Sequence, residues 1–196
     1  LIDRQVGRIL RVLEETDQLR NTIIFYTTDH GEQMGAHGML LKGVPPFEET
    51  YNIPLLVHWP GVTDRGGACD LYVNTCDIAP TILDMVGARP FKSCHGRSFV
   101  PLLKGQRPAD RPNGSYAEFH GQRFFYTQRI VWEGDWKYVF NGFDYDELYN
   151  LRDDPYEMHN LAGDRRYRER AEHMASLMWK KIKEIDDFNM YKAQYG

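Results

Sequence analysis

Two neighbouring residues, Asp29 and His30, are candidate ligands for a divalent cation. They directly follow residues 22–28 (TIIFYTT), a β-branched and aromatic run that predicts a strand buried on both faces, which suits a central parallel strand. Ligands of open α/β sheets bind at the carboxyl ends of the strands. A carboxylate favours calcium, magnesium or manganese, and the imidazole leaves zinc possible. The alternative interpretation is that Asp29 only caps the loop.

The loop after this strand contains two candidate catalytic residues, Lys42 and His37. Lys42 lies 13 positions after Asp29, in a glycine-interrupted segment that must fold back over the same strand end. Its ammonium could therefore bind a dianionic oxygen next to the cation and neutralise charge on a leaving group. His37 could donate to the substrate or protonate a leaving oxygen. The alternatives are a solvated lysine and a loop histidine that bonds to backbone.

None of the three cysteines is predicted to be a nucleophile. Cys69, Cys76 and Cys94 lack the spacing of zinc ligands, and their odd number argues against a disulfide scaffold. Cys94 precedes His95 and Gly96 in a segment similar to an anion-binding turn, but no spacing rule pairs it with a base. We interpret the three as structural or incidental.

Helices and strands alternate in the first part of the chain. An apolar stripe at i, i+4, i+7, i+8 and i+11 predicts an amphipathic first helix that ends near residues 19–21. The stripe is already under way at Leu1, so we expect further residues of the same fold upstream. Residues 53–59 predict a second buried strand. Residues 77–86 predict a helix with Asp77 or Thr75 as N-cap and Gly87 at C′.

The pattern changes after residues 106–113 (QRPADRPN), the best candidate for a linker. Residues 124–132 and 136–140 predict strands joined by a tight turn at Gly134, and residues 146–151 predict a further strand. Asp153 and Asp154, before a proline, predict a turn. A last helix carries an apolar stripe from Tyr167 to Ile185. We therefore predict an α/β fold with a domain boundary near residue 110, giving units 1–110 and 111–196.

Composition excludes several classes of protein. With 196 residues, 42% of them hydrophobic and 27% charged, the chain is long and apolar enough to bury a core, which excludes a disordered or collagen-like chain. The formal net charge of −4 predicts no broad attraction to nucleic acid. No apolar run is long enough to span a bilayer.

Several segments together resemble the C-terminal half of a type I sulfatase of the alkaline phosphatase superfamily. Residues 27–43 (TTDHGEQMGAHGMLLKG) resemble the family's metal loop and lysine, and residues 51–61 (YNIPLLVHWPG) resemble the strand that follows. Residues 77–87 and 96–103 resemble the next helix and turn. Residues 136–138 and 147–162 resemble the closing hairpin and tail. The fold implied is the C-terminal part of an alkaline-phosphatase-like α/β sheet domain, followed by a small antiparallel sheet with a helix.

The resemblance implies a role for each candidate residue. Asp29 and His30 match the family's second pair of metal ligands, Lys42 matches the lysine that contacts the sulfate, and His37 matches a loop histidine. The implied reaction is metal-dependent hydrolysis of a sulfate ester, of a small molecule or a saccharide. The implied metal is calcium, while the histidine variant, shared with phosphonate monoester hydrolases, leaves manganese or zinc open.

The chain also departs from the family pattern. Members carry a Cys-x-(Pro/Ala)-x-Arg segment whose cysteine becomes formylglycine, and Gly96 occupies the Pro/Ala position after Cys94. The first Asp-Asp ligand pair is absent too. We expect both in an N-terminal half that precedes Leu1, and we expect the 196-residue chain alone to be inactive.

Two other functions fit the same residues. One is phosphonate monoester or phosphodiester hydrolysis on the same scaffold, and the other is a non-catalytic relative that acts as a binding module. The resemblance implies a periplasmic, secreted or lysosomal location. We expect residues 113–126 to form part of the rim of a substrate pocket. Seven residues there either line a sugar or aryl site or pack the small sheet: Tyr116, Phe119, Phe124, Phe125 and Tyr126, with His120 and Arg123.

Overall fold

A computed structural model describes residues 1–121, 127–142 and 144–193, and it describes no side chains beyond Met190. The first part of the described chain contains four α-helices and a two-stranded sheet. Helix α1 spans Ile2–Glu15, strand β1 Ile24–Thr27, helix α2 Glu48–Tyr51 and strand β2 Leu55–His58. Helices α3 (Ile78–Met85) and α4 (Val100–Leu103) follow.

The second part is a meander with two helices. Strands β3 (Gly114–Phe119), β4 (Gln128–Glu133), β5 (Trp136–Asn141) and β6 (Glu147–Asn150) pair in sequence order, each antiparallel to its neighbour. Helices α5 (Arg168–Glu184) and α6 (Phe188–Ala193) close the chain. The α/β fold class with a terminal antiparallel sheet and helix is confirmed, and so is the tight turn at Gly134.

The predicted parallel direction for the strand in residues 22–28 is wrong for its pairing with β2, and its central position stays a prediction. Strand β1 pairs antiparallel with β2, and the cross-strand neighbours Tyr26 and Leu56 are 41% and 59% exposed. Both the first strand and the second were predicted to be buried. An apolar run is compatible with either strand direction, and a parallel pair needs a long crossover, usually a full helix. The connection between β1 and β2 contains only the short α2 as an α-helix.

Both faces of the four-stranded sheet are buried. On one face, Val131 and Tyr138 pack against Met174, Met178 and Ile182 of α5, which confirms the predicted stripe of that helix. On the other face, a smaller cluster receives side chains from the first part of the chain. That cluster consists of Ile130, Trp132 and Val139, covered by Tyr51, Tyr72, Ala117 and Leu151. Residues on both sides of residue 110 therefore share this core, and the division into two domains stays a prediction.

Helix α3 begins and ends as predicted, with Asp77 rather than Thr75 as the N-cap residue. The Asp77 carboxylate, however, makes no capping bond to the helix. Instead it accepts a hydrogen bond from Arg111 at 2.8 Å and one from the Arg97 amide at 2.7 Å. Arg111 thus ties the predicted linker to the first part of the chain. Gly87 has the positive φ of 63° expected of a C′ glycine.

Helix α1 forms where the stripe predicted it, but it ends at Glu15 rather than near residues 19–21, and Asp17 just beyond it has a positive φ of 54° that a helix cannot contain. Each residue of α1 is exposed or half-buried within the described part of the chain. Among the described residues, the structure contains no helix with the length and apolarity that crossing a membrane requires.

Candidate metal and anion site

Asp29 and His30 leave the carboxyl end of β1 with their side chains adjacent. His30 Nε2 lies 3.4 Å from Asp29 Oδ2. The His30 amide and the Thr28 hydroxyl donate to Asp29 Oδ1 over 3.1 and 3.3 Å. The carboxylate is largely exposed, whereas the imidazole is partly covered. The strand end therefore presents an oxygen and a nitrogen side by side.

The hydrogen bonds of His30 determine which ring nitrogen carries the proton. Nδ1 lies 2.8 Å from the carbonyl oxygen of Gly31, and a carbonyl only accepts, so Nδ1 carries the proton. Nε2 then keeps its lone pair and faces the carboxylate. An Nδ1–H bond to a backbone carbonyl is the usual way in which a protein orients a histidine that ligates a metal.

Lys42 returns to this pair from the far end of the loop. Its Nζ lies 2.8 Å from His30 Nε2, to which the ammonium donates. The intervening chain turns sharply, since Met34, His37 and Leu41 all have positive φ between 50° and 68°. The structure thus brings together three of the four candidate residues. Asp29, His30 and Lys42 also line one large open cleft of about 1960 Å³ that extends to the edge of β3.

The charge of Asp29 suits a cation ligand. Partial desolvation acts to raise the pKa of Asp29, whereas hydrogen bonds from the backbone and from Thr28 act to lower it. The pKa of this carboxyl is therefore lowered from its usual value, and Asp29 is ionised at neutral pH.

Gly31 is required by a close backbone approach rather than by a positive φ. A Cβ at this position would lie 1.9 Å from the Glu49 carbonyl oxygen. The Gly31 amide donates to the Thr50 carbonyl at 2.8 Å, and buried Gln33 donates from Nε2 to the Thr50 hydroxyl over the same distance. Helix α2 therefore holds the chain directly after His30.

His37 has contacts different from those of the other three candidates. Its ring stacks on Phe47 with centroids 3.6 Å apart, and Nε2 lies 3.8 Å from Glu49 Oε2. Its side chain is only 10% exposed. These contacts favour a supporting role for His37 in the loop, and a proton-transfer role stays a prediction.

Asp29 and His30 fit one edge of a cation's coordination sphere. Two ligands at right angles, each roughly 2.2 Å from a cation, are about 3.1 Å apart, close to the 3.4 Å between these two atoms. Among residues 1–121, 127–142 and 144–193, no three His, Cys, Asp or Glu side chains group so that they could hold a metal. A hard cation takes six or more oxygen ligands, so further ligands would have to complete the site.

The remaining candidates lie apart from this site or in other roles. The three cysteines are free thiols. Tyr116 packs against the core and its hydroxyl donates to Asp187 at 3.3 Å, which is the packing role for this rim residue. His120 pairs with Glu118 at 3.0 Å. Arg123, Phe124, Phe125 and Tyr126 lie outside the described residues.

Sequence reasoning missed the residues that support the site. Gln33 joins the loop to Thr50 of α2, and Glu48 of the same helix pairs with Lys137 of β5. The only indication of these residues in the sequence is Gly31. A glycine there suggests that another backbone segment passes close by, but it does not identify that segment.

Comparisons with known proteins place this arrangement in a family. A family model described as N-sulphoglucosamine sulphohydrolase, C-terminal, matches residues 35–184. An N-acetylglucosamine-6-O-sulfatase from Bacteroides thetaiotaomicron is 31% identical over 196 residues, covering 95% of this chain and 34% of the relative. The chain spans about a third of the length of the first curated relatives that it matches.

Solved structures share the fold. A 2-O GAG sulfatase superposes with a TM-score of 0.88 at 28% identity, covering 97% of this chain and 42% of that one. A phosphonate monoester hydrolase from Agrobacterium radiobacter superposes with a TM-score of 0.85 at 26% identity, covering 94% of this chain and 39% of that one.

Proposed function

The chain belongs to the sulfatase family, within the segment that the C-terminal sulphohydrolase model describes, and from this membership we propose that its protein hydrolyses sulfate esters with a divalent cation. One observation of the structure supports this proposal independently of the family membership. The ammonium of Lys42, the imidazole of His30 and the carboxylate of Asp29 converge at one strand end. The proposed cation ligands and the proposed anion-binding ammonium are thereby adjacent.

Each of the three residues has a distinct proposed role. Asp29 and His30 each offer one ligand atom, and the Gly31 carbonyl holds the imidazole in the tautomer that leaves Nε2 available. Lys42 donates to a non-bridging oxygen of the ester and neutralises charge that develops on it. A bound cation would polarise the sulfuryl oxygens and stabilise a charged nucleophile.

We propose calcium as the cation and formylglycine as the nucleophile, both by family resemblance. The carboxylate of Asp29 suits calcium, while the imidazole of His30 keeps manganese and zinc as alternatives. Cys69, Cys76 and Cys94 are not candidates for the modified cysteine, since none has the Cys-x-(Pro/Ala)-x-Arg context. That nucleophile would lie outside residues 1–196.

We propose a sulfated saccharide as the substrate. The names of two similar proteins, an N-acetylglucosamine-6-O-sulfatase and a 2-O GAG sulfatase, support this class. The particular ester would be set by residues around the cleft, which extends along β3 to Phe119.

Phosphonate monoester hydrolysis is the second candidate. The similarity to a phosphonate monoester hydrolase favours it, and a tetrahedral phosphorus anion could engage the same cation and lysine. Rates of the full-length gene product on matched aryl sulfate and aryl phosphonate esters separate the two. A higher kcat/KM for the sulfate supports the proposal, and a higher value for the phosphonate contradicts it.

Cation binding is tested with Asp29→Asn in the full-length gene product. We expect the affinity for Mn²⁺, used as the probe, to fall by at least about 100-fold, because removal of residues that only orient ligands already costs 10- to 100-fold. Asp17→Asn is the matched control, since Asp17 forms an exposed pair with Arg20 at 2.6 Å. Equal Mn²⁺ affinities in both variants and the wild type would contradict the proposed site.

A further inference from the structure

A buried lysine on the four-stranded sheet joins two acidic residues from distant parts of the chain. Lys137 of β5 is fully buried, and its Nζ lies 3.0 Å from Glu48 Oε1 and 2.7 Å from Glu157 Oε1. The ammonium also lies 5.2 Å from the ring centroid of Trp132. We call Lys137, Glu48 and Glu157 the Lys137 cluster. It lies outside the metal and anion site.

The cluster fixes the start of α2 on the sheet. The Glu48 amide donates to Glu157 Oε2 at 2.7 Å, and Trp132 Nε1 donates to Glu48 Oε1 at 2.9 Å. Glu48 is the first residue of α2, and Tyr51 at the end of this helix packs against the Trp132 ring, with centroids 6.0 Å apart. Helix α2 is therefore held to β4 and β5 at both of its ends.

Helix α2 in turn holds the chain that carries the proposed ligands. The Thr50 carbonyl accepts the Gly31 amide at 2.8 Å, one residue after His30. The Gly31 carbonyl orients the His30 ring. A continuous path of hydrogen bonds and a four-residue helix thus runs from Lys137 to the imidazole.

We propose that Lys137 is a positioning residue for Asp29 and His30, acting through Glu48 and α2. The inference rests on the proposed function, because the residues that it positions are the proposed cation ligands. A buried ion pair adds little net stability compared with apolar packing. Its effect here is geometric, since two carboxylates converging on one ammonium fix the direction of α2 and thereby the place of the Gly31 amide.

The test compares two buried cations on the same sheet in the full-length gene product without metal. Lys137→Met removes the tie to α2, while Arg129→Met removes a buried pair with Asp187 that lies on the α5 side. Hydrogen–deuterium exchange is measured on peptides that contain the Gly31 amide, and Mn²⁺ affinity is measured by titration. Thermal unfolding reports any general loss of stability in both variants.

We expect Lys137→Met to raise exchange at Gly31 about tenfold, as local opening becomes easier. Mn²⁺ affinity should fall by about tenfold, the lower end of the effect of residues that support ligands. Arg129→Met should change neither the exchange at Gly31 nor the Mn²⁺ affinity. This should hold even if its unfolding temperature falls as much as that of Lys137→Met. A purely structural role for Lys137 predicts that the two variants behave alike, which would overturn the proposal.

A second variant keeps the test decisive where Lys137→Met does not fold. Glu48→Gln retains an oxygen for Trp132 Nε1 and weakens only the charged tie to Lys137, so exchange at Gly31 should again rise. Unchanged exchange in Glu48→Gln would overturn the proposal. Unchanged Mn²⁺ affinity in Asp29→Asn would instead contradict the proposed function, and the exchange experiment, which needs no cation, would still decide about positioning.

Discussion

The ammonium of Lys42 lies 2.8 Å from His30 Nε2, the atom whose lone pair a cation would need. Lysine and cation therefore compete for the same atom, and binding of the cation would displace the ammonium from the imidazole. The displaced ammonium would stay close to the strand end, where an anionic oxygen bound to the cation would be its natural partner.

Lys42→Met should separate binding of the cation from catalysis. We expect kcat on an aryl sulfate to fall by about 10²- to 10³-fold, the cost of removing one donor to a developing oxyanion. Mn²⁺ affinity should stay equal or rise, because a competing positive charge is gone. Steady-state kinetics and a Mn²⁺ titration check both results. A marked loss of Mn²⁺ affinity would show that the lysine supports the ligands instead.

His37→Asn tests whether this histidine transfers a proton. Asparagine tolerates the positive φ of position 37, so the variant removes the ring without adding backbone strain. Loss of the stacking on Phe47 should cost about 1 kcal/mol of stability, and kcat should fall by less than about tenfold. A general acid would instead cost about 10²- to 10⁴-fold in kcat. Denaturant unfolding and the pH profile of kcat distinguish the two roles.

Gly31→Ala should displace the chain that follows His30. The added Cβ would lie 1.9 Å from the Glu49 carbonyl oxygen, so we expect a loss of about 1–3 kcal/mol in the free energy of unfolding, with weaker Mn²⁺ binding. Gly7→Ala is the matched control. Gly7 lies inside α1, and apart from the backbone of that helix no atom lies within 4 Å of the added carbon, so that variant should gain about 0.5–1 kcal/mol. Equal free energies of unfolding for Gly31→Ala and Gly7→Ala would contradict the close approach of Gly31 to the Glu49 carbonyl.

Asp187→Asn should destabilise the second part of the chain in a pH-dependent way. Burial acts to raise the pKa of Asp187, but hydrogen bonds and charge from Arg129 outweigh it, so the folded pKa lies below the usual 3.8. Removing the charge of Asp187 leaves the buried Arg129 guanidinium without its carboxylate partner, at a cost of about 3–5 kcal/mol at pH 7.

The sign of the pH effect follows from the lowered pKa. The stability that ionised Asp187 contributes is fully present above the unfolded pKa of 3.8 and is lost as the pH falls through the folded pKa. The gap between wild type and variant should therefore shrink below about pH 4. Urea unfolding at several pH values measures it, with exposed Asp17→Asn expected to cost less than about 1 kcal/mol. A gap that stays constant with pH would contradict the assignment.

Local patterns predicted the elements whose partners lie nearby. The turn at Gly134 and the stripe of α5 follow from periodicity and from one glycine, and Met174, Met178 and Ile182 are buried as the stripe requires. The convergence of Asp29, His30 and Lys42 was also predictable, because a strand end and a glycine-rich loop confine all three.

Features that depend on residues distant in the chain could not be predicted from the sequence. Nothing in the sequence around Lys137 indicates that it is buried, and its burial is made possible by Glu48, 89 positions earlier. The direction of β1 was predicted wrongly, since its composition fits parallel and antiparallel pairing equally well. Neither the Lys137–Glu48 ion pair nor the β1–β2 pairing produces a periodic pattern of residue types from which it could be predicted.

The central claim is that Asp29 and His30 bind one cation whose anionic ligand also meets Lys42. A crystal structure of the full-length gene product with Mn²⁺ and vanadate, a mimic of a tetrahedral ester centre, tests it most directly. We predict an anomalous manganese peak within about 2.5 Å of both Asp29 and His30 Nε2, with Lys42 Nζ hydrogen-bonded to a vanadate oxygen. Manganese bound away from these two side chains, or vanadate beyond the reach of Lys42, would contradict the account.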